Sequence, residues 1–471
     1  MIKMKLKIMI MALLLLAGIG SAVNYLPESI MEPSASLTFD GGNINDVAYV
    51  NATTLSGADL IGEARDELDR ATCTITHEGN NYVARFENGT VIATTSDTSI
   101  GNVSNLAIAW LLDVVGAPDI DVHSEYGLNE SACLGAKLYY DIWGEVDVSD
   151  EPIQLYSFMD VSGPEVDTAF GMGSPFIMVT EENQPIFFTD DDFSYRFINI
   201  HNMGLINNRT GTDYVTVPMV SLYKTGYSYI HHVFSISCCD YDKSTFSGIL
   251  FDGMGESTHF LNKISDSHID SLWLYDTDNT WIDSTQFCSW GSTAVSLGIV
   301  TSDDVKVTNC HFCVPEYESA IGIYIEGNSE HHNIVDNVFE VTAPNSSVLT
   351  YGICGYGNIL TNCMIDQNLF INFGCDISLP YMYGSSISGN EFRNSNYDDA
   401  QYKSSIWIQS GNANNVNANI GYKPIDGTDT YLIWGCDYSN YLGNIAKGYY
   451  DDVVVNVGTG SNEAYSLLVG A

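Results

Sequence analysis

The 471-residue chain carries 59 acidic against 17 basic side chains, a net charge of −42. Such a surface repels nucleic-acid phosphates and anionic lipid heads, which argues against nucleic acid and membrane surfaces as partners. The apolar share of 45% supplies ample core, while long Leu/Ala/Glu/Lys helical runs are missing, so the composition is that of an all-β protein.

Residues 1–22 read as a signal peptide. Lys3, Lys5 and Lys7 precede an apolar run over 8–19, and Gly20-Ser21-Ala22 supplies small residues for cleavage, which places the mature N-terminus near Val23. Retention of this segment as an anchor is the alternative. The run is short for a bilayer span, and no later segment is long or apolar enough to be one. Residues 23–71, with Pro27, Pro33 and Gly41-Gly42, form a leader or linker.

A hairpin and a capping helix are expected over 72–116. Alternating strands at 72–76 and 82–86 flank Glu78-Gly79-Asn80, and a third follows Asn88-Gly89 at 90–94. Asn102 or Ser104 is a candidate cap for a helix with Leu106, Ala109, Trp110 and Val114 on one face. Such a helix would cover the open end of a stack of β-coils. Over 117–196 strands are expected at 138–142, 153–158, 176–179 and 185–188, either as irregular early coils or as an insertion. Coils become legible from residue 197 and run to 471.

The central array repeats an aliphatic residue, a small polar residue and Phe. It reads Ile282-Asp-Ser-Thr-Gln-Phe287, Val307-Thr-Asn-Cys-His-Phe312, Ile334-Val-Asp-Asn-Val-Phe339, Ile365-Asp-Gln-Asn-Leu-Phe370 and Ile387-Ser-Gly-Asn-Glu-Phe392. About 22 to 31 residues separate successive Phe positions, the length of a unit that buries its apolar face only by stacking on its neighbours. A second strand recurs in each coil, as at 294–297, 321–325, 348–353 and 405–408. The pattern degrades toward 451–457, read as the C-terminal strand and cap.

The segment 72–93, followed by Asn105-Leu-Ala-Ile-Ala-Trp-Leu-Leu112, resembles the N-terminal segment of secreted right-handed parallel β-helix proteins of the pectin-lyase-like superfamily, many of them archaeal. The Ile-x-x-Asn-x-Phe coils resemble the same group. The chain departs from that group over 116–150, where a Gly-rich strand start is missing. The resemblance implies an all-β right-handed parallel β-helix and carbohydrate as the class of partner. A polysaccharide or cell-surface glycan is therefore expected, and nothing sets an oligomeric state.

With Ile264, Ile282, Val307, Ile334 and Ile365 facing inward, alternation puts their flanking residues on one outer stripe. Lys263, Trp281 and Lys306 precede the inward positions, and Asp283 follows one of them. These are the candidate site. Trp281 would stack on a pyranose ring, and Lys263 and Lys306 would pair with a uronate carboxylate. For lyase chemistry a lysine of lowered pKa would abstract the proton beside that carboxylate, with Asp283 in the same set. The structural alternative is a Lys306–Asp283 ion pair with Trp281 packed on lysine stems. Trp281-Ile-Asp-Ser284 is similar to a calcium-site segment of pectate lyases, but Ser284 stands where those enzymes have His, and no Arg-x-Pro-x-x-Arg partner follows.

No cofactor is expected, although calcium remains an option without an EF-hand loop. A hydrolase would need paired carboxylates, and Asp303-Asp304 with Asp278 and Glu330-His331-His332 on stacked turns are the candidates. Adjacent His231 and His232 are expected to point to opposite faces. Among 11 cysteines, Cys310 falls at the Asn position of its coil and reads as a buried ladder residue rather than as one half of a Cys310/Cys313 motif; adjacent Cys238 and Cys239 are discounted likewise. Glycosylation acceptors at Asn51, Asn88, Asn102, Asn129, Asn208 and Asn345 fit export.

Overall fold

The structure is a computed structural model that describes residues 71–96, 100–115, 129–164, 175–208, 217–237, 248–255, 261–288, 295–314, 320–342, 350–357, 359–394, 404–423, 431–448, 450–455 and 460–469. All belong to the compact unit Asp69–Ala471. The signal peptide, the leader, Cys238, Cys239, Asn51 and Asn345 lie outside the described residues.

Parallel strands form a 27-stranded and a 14-stranded sheet, together a right-handed parallel β-helix. One coil illustrates the design. Val295–Val300 lies in the smaller sheet, and Lys306–Thr308 and His311–Val314 lie side by side in the larger one. Corners are made by single residues with left-handed backbone, here Thr301, Asp304 and Asn309. Asn, Asp and Gly occupy many such corners because they tolerate that conformation best.

The repeat becomes a set of ladders. Ile264, Ile282, Val307, Ile334, Ile365 and Ile387 pair in register and are buried. Phe287, Phe312, Phe339 and Phe370 stack with nearly parallel rings and centroids 4.6 to 4.7 Å apart, the separation of adjacent strands. The Asn position bridges coils. Asn337 Nδ2 donates to Asn368 Oδ1, Asn368 to Asn390 and Asn390 to Asn419, each at 3.0 Å, and each amide also donates to a backbone carbonyl of the coil before. Cys310 takes its expected place, buried, with its backbone N–H donating to Asn337 Oδ1 at 2.9 Å.

At the N-terminal side, β1 (Ala71–Glu78), β2 (Asn81–Phe86) and β3 (Val91–Ser96) form an antiparallel meander, and β1 pairs in parallel with Ala136–Asp141. Helix α1 (Ile100–Val114) packs on β2 and β3, and Trp110 meets Phe86 at 5.2 Å between ring centroids. Its buried face is Ile100, Val103, Ala107, Ile108 and Leu111, not the stripe read from the sequence; Leu106 and Val114 are exposed. The cause is a second apolar stripe in a helix that begins earlier than expected. Asn102 and Ser104 lie within the helix. The Ser104 hydroxyl donates to the Ile100 carbonyl at 2.7 Å, so it does not cap.

Strands at Asp160–Ser162 and Phe176–Thr180 pair with the first long coil strand, Asn199–Asn207, in the same sheet. At the other end the coils continue past 457, through Asn462–Ala464 and Leu467–Val469.

One corner carries a pH dependence. His332 is fully buried, its Nδ1 accepts the Val305 N–H at 3.3 Å, and its Nε2 has no partner. Burial, with His331 beside it, pushes its pKa down from 6.5 to about 4. The unfolded chain therefore takes up this proton near pH 6.5 and the folded one only near 4. Stability is complete above the higher value and declines as pH falls toward the lower, by about 2 kcal/mol between pH 7 and pH 5. His332→Asn, matching Asn414 three ladder positions on, is expected to remove that share. The check is urea midpoints of both proteins at the two pH values.

Candidate functional site

The outer face of the first stack in the larger sheet brings together all four residues singled out in the sequence. Lys263 pairs with Trp281, and Trp281 with Lys306, in exact register on three successive strands. One coil below, Tyr229 pairs with Lys263. The row thus alternates aromatic and cationic groups: Lys263 Nζ lies 5.0 Å from the Tyr229 ring centroid and Lys306 Nζ 5.2 Å from that of Trp281. All four side chains are half-buried.

Asp283 stands beside this row, and it does not pair with Lys306. Its Oδ1 accepts Thr308 Oγ1 at 2.8 Å and Asn309 Nδ2 at 3.0 Å, and its Oδ2 accepts Ser284 Oγ at 3.2 Å. Partial burial raises its pKa, but these hydrogen bonds and the Lys263 charge outweigh it and hold the carboxyl below the usual range. An ionised, fully hydrogen-bonded carboxylate orients neighbours well. It is a poor proton donor.

The cation over Trp281 bears on sugar stacking. A pyranose can use that indole face only when Lys306 swings away from it. An exposed cation–π contact is worth about 0.5–1 kcal/mol, whereas a charge-assisted hydrogen bond to a carboxylate is worth about 1.5–3 kcal/mol, so an acidic sugar drives the exchange. A neutral one does not.

Below Lys263 the structure adds groups that the sequence did not single out. His201 Nε2 meets Asp160 Oδ1 at 2.8 Å, the His201 and His231 rings stack at 4.7 Å, and Tyr229 stacks on His231 at 4.2 Å. The Tyr229 hydroxyl reaches Ser265 Oγ at 2.7 Å. His232 does not point to the opposite face: its backbone is left-handed, which breaks strand alternation and brings its Nδ1 to 2.8 Å from that of His231. Alternation was the wrong rule at a corner. The signal for this cluster was the equal placement of His201 and His231 in successive coils.

The stacked turns do gather the acidic groups. The main chains of Asp278 and Asp303 form an isolated parallel bridge, the Glu330 N–H donates to Asp303 Oδ1 at 2.6 Å, and His331 Nδ1 lies 3.8 Å from Asp304 Oδ1. Burial, then the neighbouring Asp303, pushes the Asp278 carboxyl up. Among the described residues no three His, Cys, Asp or Glu side chains are grouped to hold a metal ion, and no helix is long and apolar enough to cross a membrane.

No protein-family model matches the chain, and no curated protein does. Solved structures similar to it include the A-module of a mannuronan C-5 epimerase from Azotobacter vinelandii, at 13% identity over 72% of this chain and 91% of that one, with a TM-score of 0.49. A surface adhesin of Streptococcus pneumoniae matches at 12% identity over 71% and 83%, TM-score 0.44. A DFA-IIIase from Arthrobacter chlorophenolicus matches at 13% identity over 78% and 91%, TM-score 0.43. These likenesses bear on the fold alone.

Proposed function

We propose that this protein is a secreted or surface-displayed β-helix that binds an acidic polysaccharide or cell-surface glycan along the Tyr229, Lys263, Trp281 and Lys306 row, in a structural or adhesive role. The observation that carries this is the in-register alternation of aromatic rings and ammonium groups on successive coils. It offers repeated carboxylate partners about 10 Å apart, two strand spacings, along a rigid face. A chain of repeating acidic sugars presents charges in the same linear manner.

The second reading is lyase chemistry at the same row, favoured by the cluster of Asp160, His201, His231 and Tyr229 below Lys263. There a base, His231 or Lys263, would take the proton next to the uronate carboxylate. The C–C double bond would form as the glycosidic C–O bond breaks, and the Tyr229 hydroxyl would protonate the leaving oxygen. Hydrolysis at the Asp278 and Asp303 turns is the remaining catalytic option.

Incubation with a panel of polysaccharides separates these readings. Binding to polyuronates without unsaturated products or new reducing ends is the expected result. Absorbance of unsaturated uronates would assign the lyase role, and no binding to any acidic glycan would overturn the proposal.

A further inference from the structure

The second stack of the larger sheet carries, on its outer face, a set of sulfur and imidazole groups separate from the glycan row. Cys288 and Cys313 pair in register on adjacent strands, Gln286–Cys288 and His311–Val314, and both are half-buried rather than core residues. The two thiols perturb each other's ionisation, Cys288 upward and Cys313 downward. His311 Nε2 lies 3.6 Å from Cys313 Sγ and 3.7 Å from Glu340 Oε2, and Gln286 Nε2 donates to Cys313 Sγ at 3.7 Å. A nucleophile, a base and a carboxylate are thus neighbours, with the thiol and the carboxylate both facing His311 Nε2 and a second thiol on the adjacent strand. Cys310, three residues before Cys313, plays no part: it is buried, and its thiol is pushed up to about 12.

We propose that Cys313 and Cys288 form a redox-active dithiol, in which Cys313 attacks a small cationic disulfide and Cys288 resolves the resulting mixed disulfide. In the first step the Cys313 thiolate bonds to one sulfur of the substrate, the substrate S–S bond breaks, and the departing thiolate takes a proton from His311. In the second, Cys288 gives its proton to His311 and attacks Cys313 Sγ, the mixed disulfide breaks, and the second small thiolate takes that proton back from His311 and leaves as a thiol. One substrate disulfide is reduced to two thiols, and the two electrons come from the Cys288–Cys313 pair. In-register parallel strands lie about 4.7–4.9 Å apart, within the Cα separation of about 4.4–6.8 Å that a disulfide accepts.

The charge around the pair supports this assignment. The neighbouring Cys288 thiol contributes most, and His311 adds to it; together they outweigh partial burial and lower the Cys313 thiol to about 4. The same contact raises the Cys288 thiol, so the pair holds one proton. The proximity of Cys313 raises the His311 pKa. From the neighbouring strands His268, reached through Gln286 at 3.3 Å, and Asp270 face the pair from below, and Glu340 from above. With a net charge of −42 on the chain, a cationic disulfide is favoured over an anionic one.

The test is reaction of the reduced, full chain with cystamine at pH 6, followed by peptide mapping without reduction. The expected product is a Cys288–Cys313 cross-link with release of two small thiols per chain. Cys288→Ser should trap one adduct on Cys313, and Cys313→Ser should leave Cys288 unmodified. Glutathione disulfide should react more slowly than cystamine. Native-state alkylation of Cys313 should change little between pH 5 and pH 8, whereas a free thiol gains about tenfold per unit; at pH 5 Cys313 should be about 10-fold faster, its lower nucleophilicity included. His311→Gln should restore a free-thiol profile. Alkylation of Cys313 in the unaltered protein that follows the free-thiol profile, or a cystamine adduct on Cys313 that never passes to Cys288, overturns the proposal. Either result decides it even where a variant fails to fold.

Discussion

Asn390→Ala is expected to destabilise the β-helix by about 4 kcal/mol. The Asn390 Oδ1 accepts both the backbone N–H of Asn368, at 2.9 Å, and its side-chain amide, at 3.0 Å. Its own amide donates to the Ile365 carbonyl at 2.8 Å and to Asn419 Oδ1 at 3.0 Å. The residue is completely buried. Alanine leaves two buried donors of Asn368 and the Ile365 carbonyl without these partners, and each buried orphan costs about 1–3 kcal/mol. Asn415→Ala is the control, because that side chain is exposed and its contact with Asn440 lies at the surface. Urea unfolding followed by fluorescence should separate the two variants clearly. Equal midpoints would show that the Asn ladder contributes little.

Removal of both ammonium groups, in Lys263→Ala/Lys306→Ala, is expected to weaken polyuronate binding about 100-fold. Two charge-assisted contacts at roughly 1.5 kcal/mol each give that factor. Trp281→Ala should cost about tenfold, from loss of the ring contact. Lys447→Ala is the matched control: Lys447 lies 4.7 Å from the Tyr422 ring centroid in the same kind of contact, on the other stack. The chain's net charge gives this interaction an unusual salt response. Long-range repulsion between two polyanions is screened between 10 and 150 mM salt, while contacts at hydrogen-bond distance are screened less, so binding should strengthen over that range. Titration calorimetry on the three variants and the parent measures both effects. Affinity unchanged in the double variant would remove the row from the binding surface.

The fold was legible because its core positions repeat. Inward Ile and Phe residues must present the same shape to the coil above and below, and the buried Asn must find the same partner there, so the physics writes a period into the sequence. Single helices write no such period. In α1 two apolar stripes compete, and only the packing against β2 and β3 selects the one through Ile100 and Leu111. The outer row of Lys263, Trp281 and Lys306 followed from alternation, since a strand of three residues leaves no freedom in facing. Asp283 followed too, but its partners did not: the choice of Thr308 and Asn309 over Lys306 is a matter of side-chain reach. Corners were the blind spot. A left-handed residue such as His232 reverses the facing that alternation assigns, and no composition rule announces it. The sulfur pair was hidden for a different reason. Cys288 and Cys313 are neighbours only because one full coil separates them, while the eye is drawn to the shorter interval between Cys310 and Cys313.

The amide ladder through Asn337, Asn368, Asn390 and Asn419 has a further consequence for how the molecule opens. Each rung holds only the rungs next to it, so the stack behaves as a one-dimensional array in which unzipping starts at a terminus and proceeds coil by coil. At the last described rung Leu467 is 53% exposed, whereas Ile282, Val307 and Phe312 are fully enclosed. Amide exchange should therefore be fastest at that rung and slowest over the middle coils. The lysine row and the thiol pair both stand on these slow coils, where thermal fraying reaches last.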